Sequence, residues 1–229
     1  MASCHNGIDY TRLPALEIER LARVIAPGAW GVERQRPLAT LLGSCVSVCL
    51  YDLKAGIGGI NHFMLPSLLR SRHREMDVLL AGDFAMEALL NALLQQGVKK
   101  ASLQAKAFGG GTMMATGNHD GLSIGMRNAR FAQEWLEREG IPLVATNLLG
   151  PWARKILFVP GNGDVWCRRM PTHLATVQQI GREEARYAAT LETTLGSGKT
   201  ATPPAPDRKS PAPRQPATVP ADPPKVELF

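Results

Sequence analysis

The chain has 229 residues, of which 45% are hydrophobic, and it carries a formal net charge of +6. The charge is spread along the sequence and only 6% of the residues are aromatic. A nucleic-acid-binding protein typically shows a basic stripe with stacking or groove-reading elements, so we expect no nucleic-acid partner. A solvated basic surface is the favoured interpretation of the charge, and an acidic partner is the alternative.

The cellular compartment follows from what the sequence lacks. No apolar run reaches the length of a membrane span, and the first residues, MASCHNGIDYTRLPALEIER, interleave charge with apolar side chains, unlike a signal peptide. The four cysteines form no CxxC pair, so we expect thiols in a reducing compartment. We therefore predict a cytoplasmic protein that is not inserted in a membrane.

Composition divides the chain into three parts. The last part, 196–229, holds nine of the 17 prolines and almost nothing bulky before Val226. Such a segment cannot bury enough apolar surface to offset the entropy of ordering it. We predict a flexible N-terminus over 1–11, a single domain over 12–195 and a Pro-rich disordered tail over 196–229. The closing VELF of that tail is either an unpaired end or a docking motif.

The predicted elements mix strands and helices. Period-two alternation predicts a strand over 45–51, which returns as a second strand after a turn at 52–56. Apolar residues at helical spacing predict a helix over 83–96. Then follow a strand over 102–108, a helix over 128–139, strands over 141–149, 153–159 and 165–169, and a final helix over 174–195. This mixture predicts the α/β class, as a single-domain layered sandwich with a mixed, largely antiparallel sheet and flanking helices.

Cys45 and His62 stand at the open end of the first predicted hairpin. If Tyr51 lies opposite Gly56, Cys45 lies directly opposite His62, with Cβ atoms about 4.5–5.5 Å apart. An adjacent imidazole takes the proton of a thiol and stabilises the thiolate. Backbone amides around Ser44 are placed to face a developing oxyanion. This arrangement is typical of acyl transfer by a cysteine nucleophile.

The alternative is that Cys45 and His62 only pack in the core. Cysteine is among the most often buried residue types, and Cys49 is a second cysteine on the same face of the predicted strand. A one-residue slip of the hairpin would also turn Cys45 and His62 to opposite faces. Spacing alone therefore leaves a reactive pair and a structural pair both open.

Several separated motifs carry a more specific signal. The chain reads GSCVSVCLYD at 43–52, GIGGINHFMLP at 56–66, KAFGGG at 106–111, IGMRN at 124–128 and GPWARKI at 150–156. With these motifs in this order, about residues 30–170 resemble the CheD family of chemotaxis proteins, the chemoreceptor glutamine deamidases. The resemblance implies hydrolysis of selected receptor glutamines to glutamate and ammonia, with related activity on glutamyl methyl esters.

The resemblance also implies catalytic roles. Cys45 matches the nucleophile of the family, and His62 matches the base of an H-x-x-L-P motif. The family uses a threonine shortly before the cysteine to orient the histidine, and Thr40 is the candidate here. In some members that threonine stands one residue earlier, where this chain has Ala39. A one-residue difference on a strand changes the face, so a backbone carbonyl is the alternative partner of His62.

Ser44, Gly109 and Gly110 are the candidate substrate-binding residues. The glycines either end a strand or form a small-residue wall that lets a substrate glutamine approach the thiol. The mechanism requires no cofactor, and no tight ligand spacing indicates a metal site. The run LGSGKT at 195–200 lacks the first glycine of a phosphate-binding loop, having Thr193 in its place, and it follows a predicted helix.

The partners that the resemblance implies are the cytoplasmic domains of chemoreceptors, as protein substrates. CheD relatives also bind CheC-type phosphatases. A non-catalytic binding module that regulates such a phosphatase or receptor signalling is therefore the alternative function. The two functions differ in their need for Cys45, because a binding module tolerates its replacement by alanine and a hydrolase does not.

Overall fold

The computed structural model describes Tyr10 and residues 13–65, 75–112, 123–170, 174–196 and 226–229. Apart from Tyr10, the predicted flexible N-terminus over 1–11 lies outside the described residues, and so does most of the predicted tail. Within the described part of the chain, no helix is both long and apolar enough to cross a membrane.

Four α-helices and ten strands make up the described fold. The helices are α1 (Ala15–Leu21), α2 (Glu75–Gln95), α3 (Ile124–Arg138) and α4 (Leu174–Gly196). The strands are β1 (Arg23–Val24), β2 (Trp30–Glu33), β3 (Leu38–Leu42), β4 (Val46–Asp52), β5 (Ile57–Asn61), β6 (Gln104–Gly109), β7 (Leu143–Leu148), β8 (Ala153–Val159), β9 (Asp164–Met170) and β10 (Val226–Leu228). The elements predicted between β4 and α4 are confirmed, whereas the short strands before β4 carry too little alternation to be predicted.

The strands form two five-stranded sheets. Sheet A has the order β1-β3-β8-β9-β10 and sheet B the order β2-β5-β4-β6-β7. Among the described strands only the pairs β1–β3 and β6–β7 are parallel, so the predicted mixed, largely antiparallel α/β sandwich is confirmed. The expectation of one sheet is wrong, because alternation in a sequence reports the face of a side chain but not the strand that pairs with it.

Three apolar clusters separate the layers of the molecule. One lies between sheet B and helices α2 and α3, and the second lies between the two sheets. The third packs α1 on the outer face of sheet A through Ile18. β4 is buried along its whole length: Val46 and Leu50 belong to the first cluster, and Tyr51 belongs to the second. Cys45, directly before β4, also belongs to the second cluster. Cys45 therefore faces the space between the sheets.

The turn between β4 and β5 sets their register. Tyr51 lies opposite Gly58 and not opposite Gly56 as predicted. Asp52 belongs to β4, and its carboxylate accepts hydrogen bonds from two backbone amides of the loop that follows, at 2.8 and 3.0 Å. This local bonding of an aspartate stabilises a turn that starts one residue later than predicted. The strands are consequently shifted by two residues from the predicted pairing.

The last described residues correct the prediction for the tail. Val226–Leu228 pairs antiparallel with β9 as strand β10. The Phe229 backbone exchanges two hydrogen bonds with Val165, and its ring packs edge-on against Phe108 with 5.4 Å between centroids. The predicted disorder over 196–229 therefore does not hold for residues 226–229, because they cover the edge of sheet A and partly bury an aromatic ring.

Gly109 ends β6 where two backbones approach more closely than a side chain permits. Gly109 pairs with Val46 and has a φ angle of 113°. A Cβ atom at this position would lie 2.2 Å from the carbonyl oxygen of Cys45. Both the φ angle and the close approach require glycine. The position of the Cys45 backbone thus depends on Gly109.

Replacing Gly109 by alanine is expected to destabilise the protein far more than replacing Gly97. Gly97 also has a positive φ, of 84°, but nothing lies within 4 Å of its Cβ position. We expect Gly97→Ala to lower the free energy of unfolding by about 1 kcal/mol. Gly109→Ala should lower it by about 3 kcal/mol or more, because the Cys45 backbone must also move. Urea unfolding measures both values, and equal losses would contradict the close approach.

Candidate active site

Backbone contacts fix the bend that carries Cys45 into β4. The Cys45 carbonyl accepts a hydrogen bond from the N–H of Gly110 at 2.8 Å, and the Gly43 carbonyl accepts one from the N–H of Gly111 at 2.7 Å. A Cβ atom on Gly110 would lie 2.8 Å from the carbonyl oxygen of Gly125 in α3. The glycine run therefore packs between the cysteine bend and α3. Its contact with a substrate stays a prediction.

Asn128 joins the cysteine bend to the segment after β5. Its side chain is fully buried. It donates to the Ser44 carbonyl at 2.8 Å and accepts from the N–H of Leu65 at 2.8 Å. Helix α3 positions Asn128, and Ser123 caps the first turn of that helix through its side chain. A buried amide that is satisfied on both sides keeps the two segments in place.

His62 follows β5 and reaches across to sheet A. Its Nδ1 lies 2.7 Å from Oγ1 of Thr40 on β3. The Thr40 hydroxyl also donates to the carbonyl oxygen of Ile25 at 2.7 Å. The backbone of His62 is fixed as well, since its N–H bonds to Ala29 and its carbonyl accepts from Gly28. The structure thus brings Thr40 and His62 together. A backbone carbonyl, the predicted alternative, is also present, because the Ile25 carbonyl accepts a hydrogen bond from the Thr40 hydroxyl.

The Thr40 contact assigns the tautomer of His62. A hydroxyl carries one proton, and the Thr40 hydroxyl donates it to Ile25, so Oγ1 accepts from His62 and the ring proton lies on Nδ1. Nε2 is buried and has no hydrogen-bond partner in the described part of the chain. Burial lowers the pKa of His62 to about 4, against the opposing effect of the Ile25 carbonyl. At neutral pH the imidazole is therefore uncharged and Nε2 is a free base.

Cys45 and His62 lie diagonally on one face of sheet B. Val46 and Phe63 form an isolated antiparallel bridge, and Cys45 and His62 each precede one of these residues. The predicted direct pairing of Cys45 with His62 is therefore wrong, because the turn shifts the register by two residues. A two-residue shift preserves the face of every side chain. Diagonal neighbours on a sheet are about 7–8 Å apart, a separation that aromatic and other long side chains can span. In this pair the imidazole of His62 is the longer side chain.

A carboxylate from α4 completes the surroundings of Cys45. Glu184 accepts hydrogen bonds from the backbone N–H of Cys45 at 3.1 Å and from Oγ of Ser44 at 2.7 Å. Burial, and then the charge and hydrogen bonding of Glu184, raise the pKa of the Cys45 thiol well above its ordinary value. The side chain of Cys45 has 0% exposure. An amide able to stabilise an oxyanion is thus present at Cys45, and it is bonded to Glu184.

Sequence reasoning did not identify Glu184 as a site residue. It lies 139 positions from Cys45, and no motif spacing connects the two. One signal was available, because Glu184 shares a helical face with Ile180, Tyr187 and Leu191. A charged residue within an otherwise apolar stripe either interrupts the packing of the helix or meets a buried polar group.

Comparison with known proteins decides the family. The family model described as CheD chemotactic sensory transduction matches residues 64–169. A protein of Dechloromonas aromatica named probable chemoreceptor glutamine deamidase CheD 2 is 62% identical over 184 residues, which are 80% of this chain and 93% of that protein. The chain belongs to the CheD family. The resemblance predicted from the sequence motifs is confirmed.

Other CheD proteins match over similar lengths. A probable chemoreceptor glutamine deamidase CheD of Vibrio vulnificus is 40% identical and covers 75% of this chain and 81% of its own length. One of Ralstonia nicotianae is 36% identical and covers 85% of this chain and 79% of its own length. The match to the CheD family model begins at Met64, after Thr40, Cys45 and His62, so the roles of these three residues depend on their motifs and their geometry.

Protonation of His62 is expected to weaken the fold as the pH falls. Its pKa lies at about 4 in the folded protein, below the ordinary value of 6.5. At a pH between these two pKa values, His62 binds a proton in the unfolded chain but not in the folded protein. Each unit by which the pH falls in this range therefore lowers the free energy of unfolding by about 1.4 kcal/mol. Urea unfolding between about pH 7 and about pH 4.5 measures the loss.

The matched control for this pH dependence is His62→Gln. Carboxylates titrate in both proteins, whereas only the wild type contains the buried imidazole, so the variant should lose less stability over the same pH range. An identical pH dependence in the two proteins would show that His62 is not buried in its neutral form.

Proposed function

We propose that the protein is a cysteine-dependent hydrolase that converts specific glutamine side chains of chemoreceptors to glutamate in the cytoplasm, with release of ammonia. The main support is the imidazole of His62, held by Thr40 with Nε2 unpartnered, on the same face as Cys45. Membership of the CheD family supplies the substrate class, because its relatives are named chemoreceptor glutamine deamidases.

The reaction begins with transfer of the thiol proton. Nε2 of His62 takes the proton, and Sγ of Cys45 attacks the Cδ carbon of the substrate glutamine. The backbone N–H of Cys45 is the donor for the negative charge that develops on the amide oxygen. The imidazolium then protonates the amide nitrogen, the C–N bond breaks and ammonia leaves. The product of this half-reaction is a thioester between Cys45 and the glutamyl side chain.

Hydrolysis of the thioester returns the enzyme to its first state. Nε2 of His62 removes a proton from water, the oxygen attacks the thioester carbon, and the C–S bond breaks. Sγ recovers the proton from the imidazolium, and the side chain leaves as glutamate. Thr40 acts as a positioning residue, because its oxygen keeps the proton on Nδ1 in both half-reactions.

The same residues support hydrolysis of glutamyl methyl esters. Attack of Sγ on the ester carbon gives the same thioester, with methanol as the leaving group in place of ammonia. The second half-reaction is then identical. This related activity needs no additional catalytic group.

A binding module that regulates a CheC-type phosphatase or receptor signalling is the second candidate function. A docking surface needs no free imidazole nitrogen. Leaving a buried polar atom without a partner costs about 1–3 kcal/mol, and a histidine that serves only packing is expected to have both nitrogens bonded. The hydrolase is therefore favoured by the placement of His62 on the same face as Cys45, with Nδ1 held by Thr40 and Nε2 unpartnered among the described residues.

Substitution of the three proposed residues should separate their roles. Incubation with a chemoreceptor cytoplasmic fragment, followed by mass spectrometry, should show a gain of about 1 Da per converted glutamine with the wild type. Cys45→Ala should abolish the gain, and His62→Ala should slow it by about 10²–10⁴-fold. Thr40→Val should slow it by about tenfold, because the ring loses its fixed tautomer.

The matched control is Cys49→Ala, which removes another buried cysteine that faces the same inter-sheet cluster. This variant should retain most of the activity, since Cys49 has no proposed part in the reaction. Conversion that persists in Cys45→Ala would exclude the thiol mechanism. No conversion by any protein, with receptor binding unchanged in Cys45→Ala, would favour the binding module.

A further inference from the structure

Helix α4 covers the proposed active site with one face. Ile180 and Leu191 on this face are buried, and Ala188 packs against the cluster between the two sheets. The ring of Tyr187 lies against Gly28, where a Cβ atom would approach Cε2 of the ring to 2.3 Å. The φ of 80° at Gly28 likewise suits glycine. α4 therefore lies on a surface, named the groove, that is formed by Gly28, the cysteine bend and the edge of the cluster between the sheets.

Glu184 extends from the same face to the nucleophile. Its Oε1 accepts from the N–H of Cys45 and its Oε2 accepts from Oγ of Ser44. This N–H is the donor that the proposed reaction assigns to the substrate oxygen. The γ-carboxylate of Glu184 is also the chemical group that deamidation of glutamine produces. The site thus holds a glutamate side chain in the position expected for a product.

Glu184 does not have the properties of a catalytic group. Its charge and hydrogen bonding raise the pKa of the Cys45 thiol, which opposes formation of the thiolate. A carboxylate at the oxyanion donor also repels negative charge on a substrate oxygen. Both effects are unfavourable in a catalytic residue and are the expected properties of a bound product.

We propose that α4 occupies the substrate groove as an intramolecular product mimic, with Glu184 in the place of the reacting side chain. The groove then takes a glutamine carried on an α-helix, with a bulky side chain three positions further on, as Tyr187 follows Glu184. Residues three and four apart lie on one helical face, so both side chains enter the groove together. This inference rests on the proposed deamidase function, and it requires α4 to leave before a receptor helix binds.

If α4 is a product mimic, the chain becomes its own substrate when Glu184 is replaced by glutamine. In Glu184→Gln, Sγ of Cys45 attacks Cδ of Gln at this position, and the C–N bond breaks with release of ammonia. Water then cleaves the thioester, which regenerates the thiol and leaves glutamate. The net change is glutamine plus water to glutamate plus ammonia, a gain of about 1 Da at one residue.

The test is mass spectrometry of the peptide that contains residue 184, from the full chain after purification and incubation. We expect the glutamine encoded in Glu184→Gln to be recovered as glutamate. It should persist as glutamine in the double variant Cys45→Ala, Glu184→Gln. Glu183→Gln is the matched control, because Glu183 accepts a hydrogen bond from Gln179 along the helix and not from the cysteine bend. Its glutamine should persist.

The same preparations are incubated with a chemoreceptor cytoplasmic fragment, so that the two proposals can fail separately. Conversion of receptor glutamines without conversion at residue 184 would overturn the product mimic and leave the proposed function intact. Conversion at residue 184 that also occurs in the double variant would overturn the product mimic, since it would not need the thiol. Absence of both conversions would overturn both proposals.

Alkylation of Cys45 by iodoacetamide gives a second, independent measurement. In the wild type the thiol is covered by α4, so its alkylation should be slow. Tyr187→Ala removes the ring from its seat on Gly28 and should speed alkylation by about tenfold or more, because the helix opens more often. Tyr187→Phe keeps the ring and should react as slowly as the wild type. Equal rates in all three proteins would contradict the seating of α4 in the groove.

Discussion

The hydrogen bond between Thr40 and His62 connects the two sheets at the proposed site. Thr40 belongs to β3 of sheet A, and His62 follows β5 of sheet B. The Thr40 hydroxyl gives its proton to the Ile25 carbonyl and can therefore only accept from the imidazole. This fixes the ring proton on Nδ1 and leaves Nε2 as a base. A buried nitrogen that has no hydrogen-bond partner among the described residues costs stability.

Backbone contacts and one buried amide side chain position Cys45, the proposed nucleophile. Gly109 lets the end of β6 approach the carbonyl of Cys45, and Gly110 donates a hydrogen bond to the same carbonyl. Asn128 connects the cysteine bend to the segment after His62. The two glycines, proposed from sequence to face the substrate, thus already have a structural task. A rigid bend keeps the backbone N–H of Cys45 at a fixed position relative to the thiol, as stabilisation of an oxyanion requires.

The described structure corresponds to a closed form of the site. Cys45 is fully buried, and its thiol is protonated because burial and Glu184 raise its pKa. His62 is neutral because burial lowers its pKa. If α4 leaves the site as proposed, the thiol of Cys45 becomes accessible and also loses the negative charge of Glu184 that raises its pKa. The proposal therefore couples access to Cys45 with formation of its thiolate through a single helix.

Sequence alone predicted the elements with strong periodicity and the residues within motifs. β4 could be predicted because alternating Val and Cys residues mark a strand, and Cys45, His62 and Thr40 followed from the family resemblance. The register of the hairpin could not be predicted, since it depends on hydrogen bonds of Asp52 within the turn. Glu184 and Phe229 could not be predicted either, because their contacts join distant parts of the chain.

The tautomer of His62 tests the mechanism most directly. Long-range proton–nitrogen NMR correlation on protein with ¹⁵N-labelled histidine identifies the protonated ring nitrogen. At neutral pH we predict that Nδ1 of His62 is protonated and Nε2 is not, and that Thr40→Val weakens this preference. A proton on Nε2 in the wild type would contradict the mechanism, because the imidazole could not then take the proton of the Cys45 thiol.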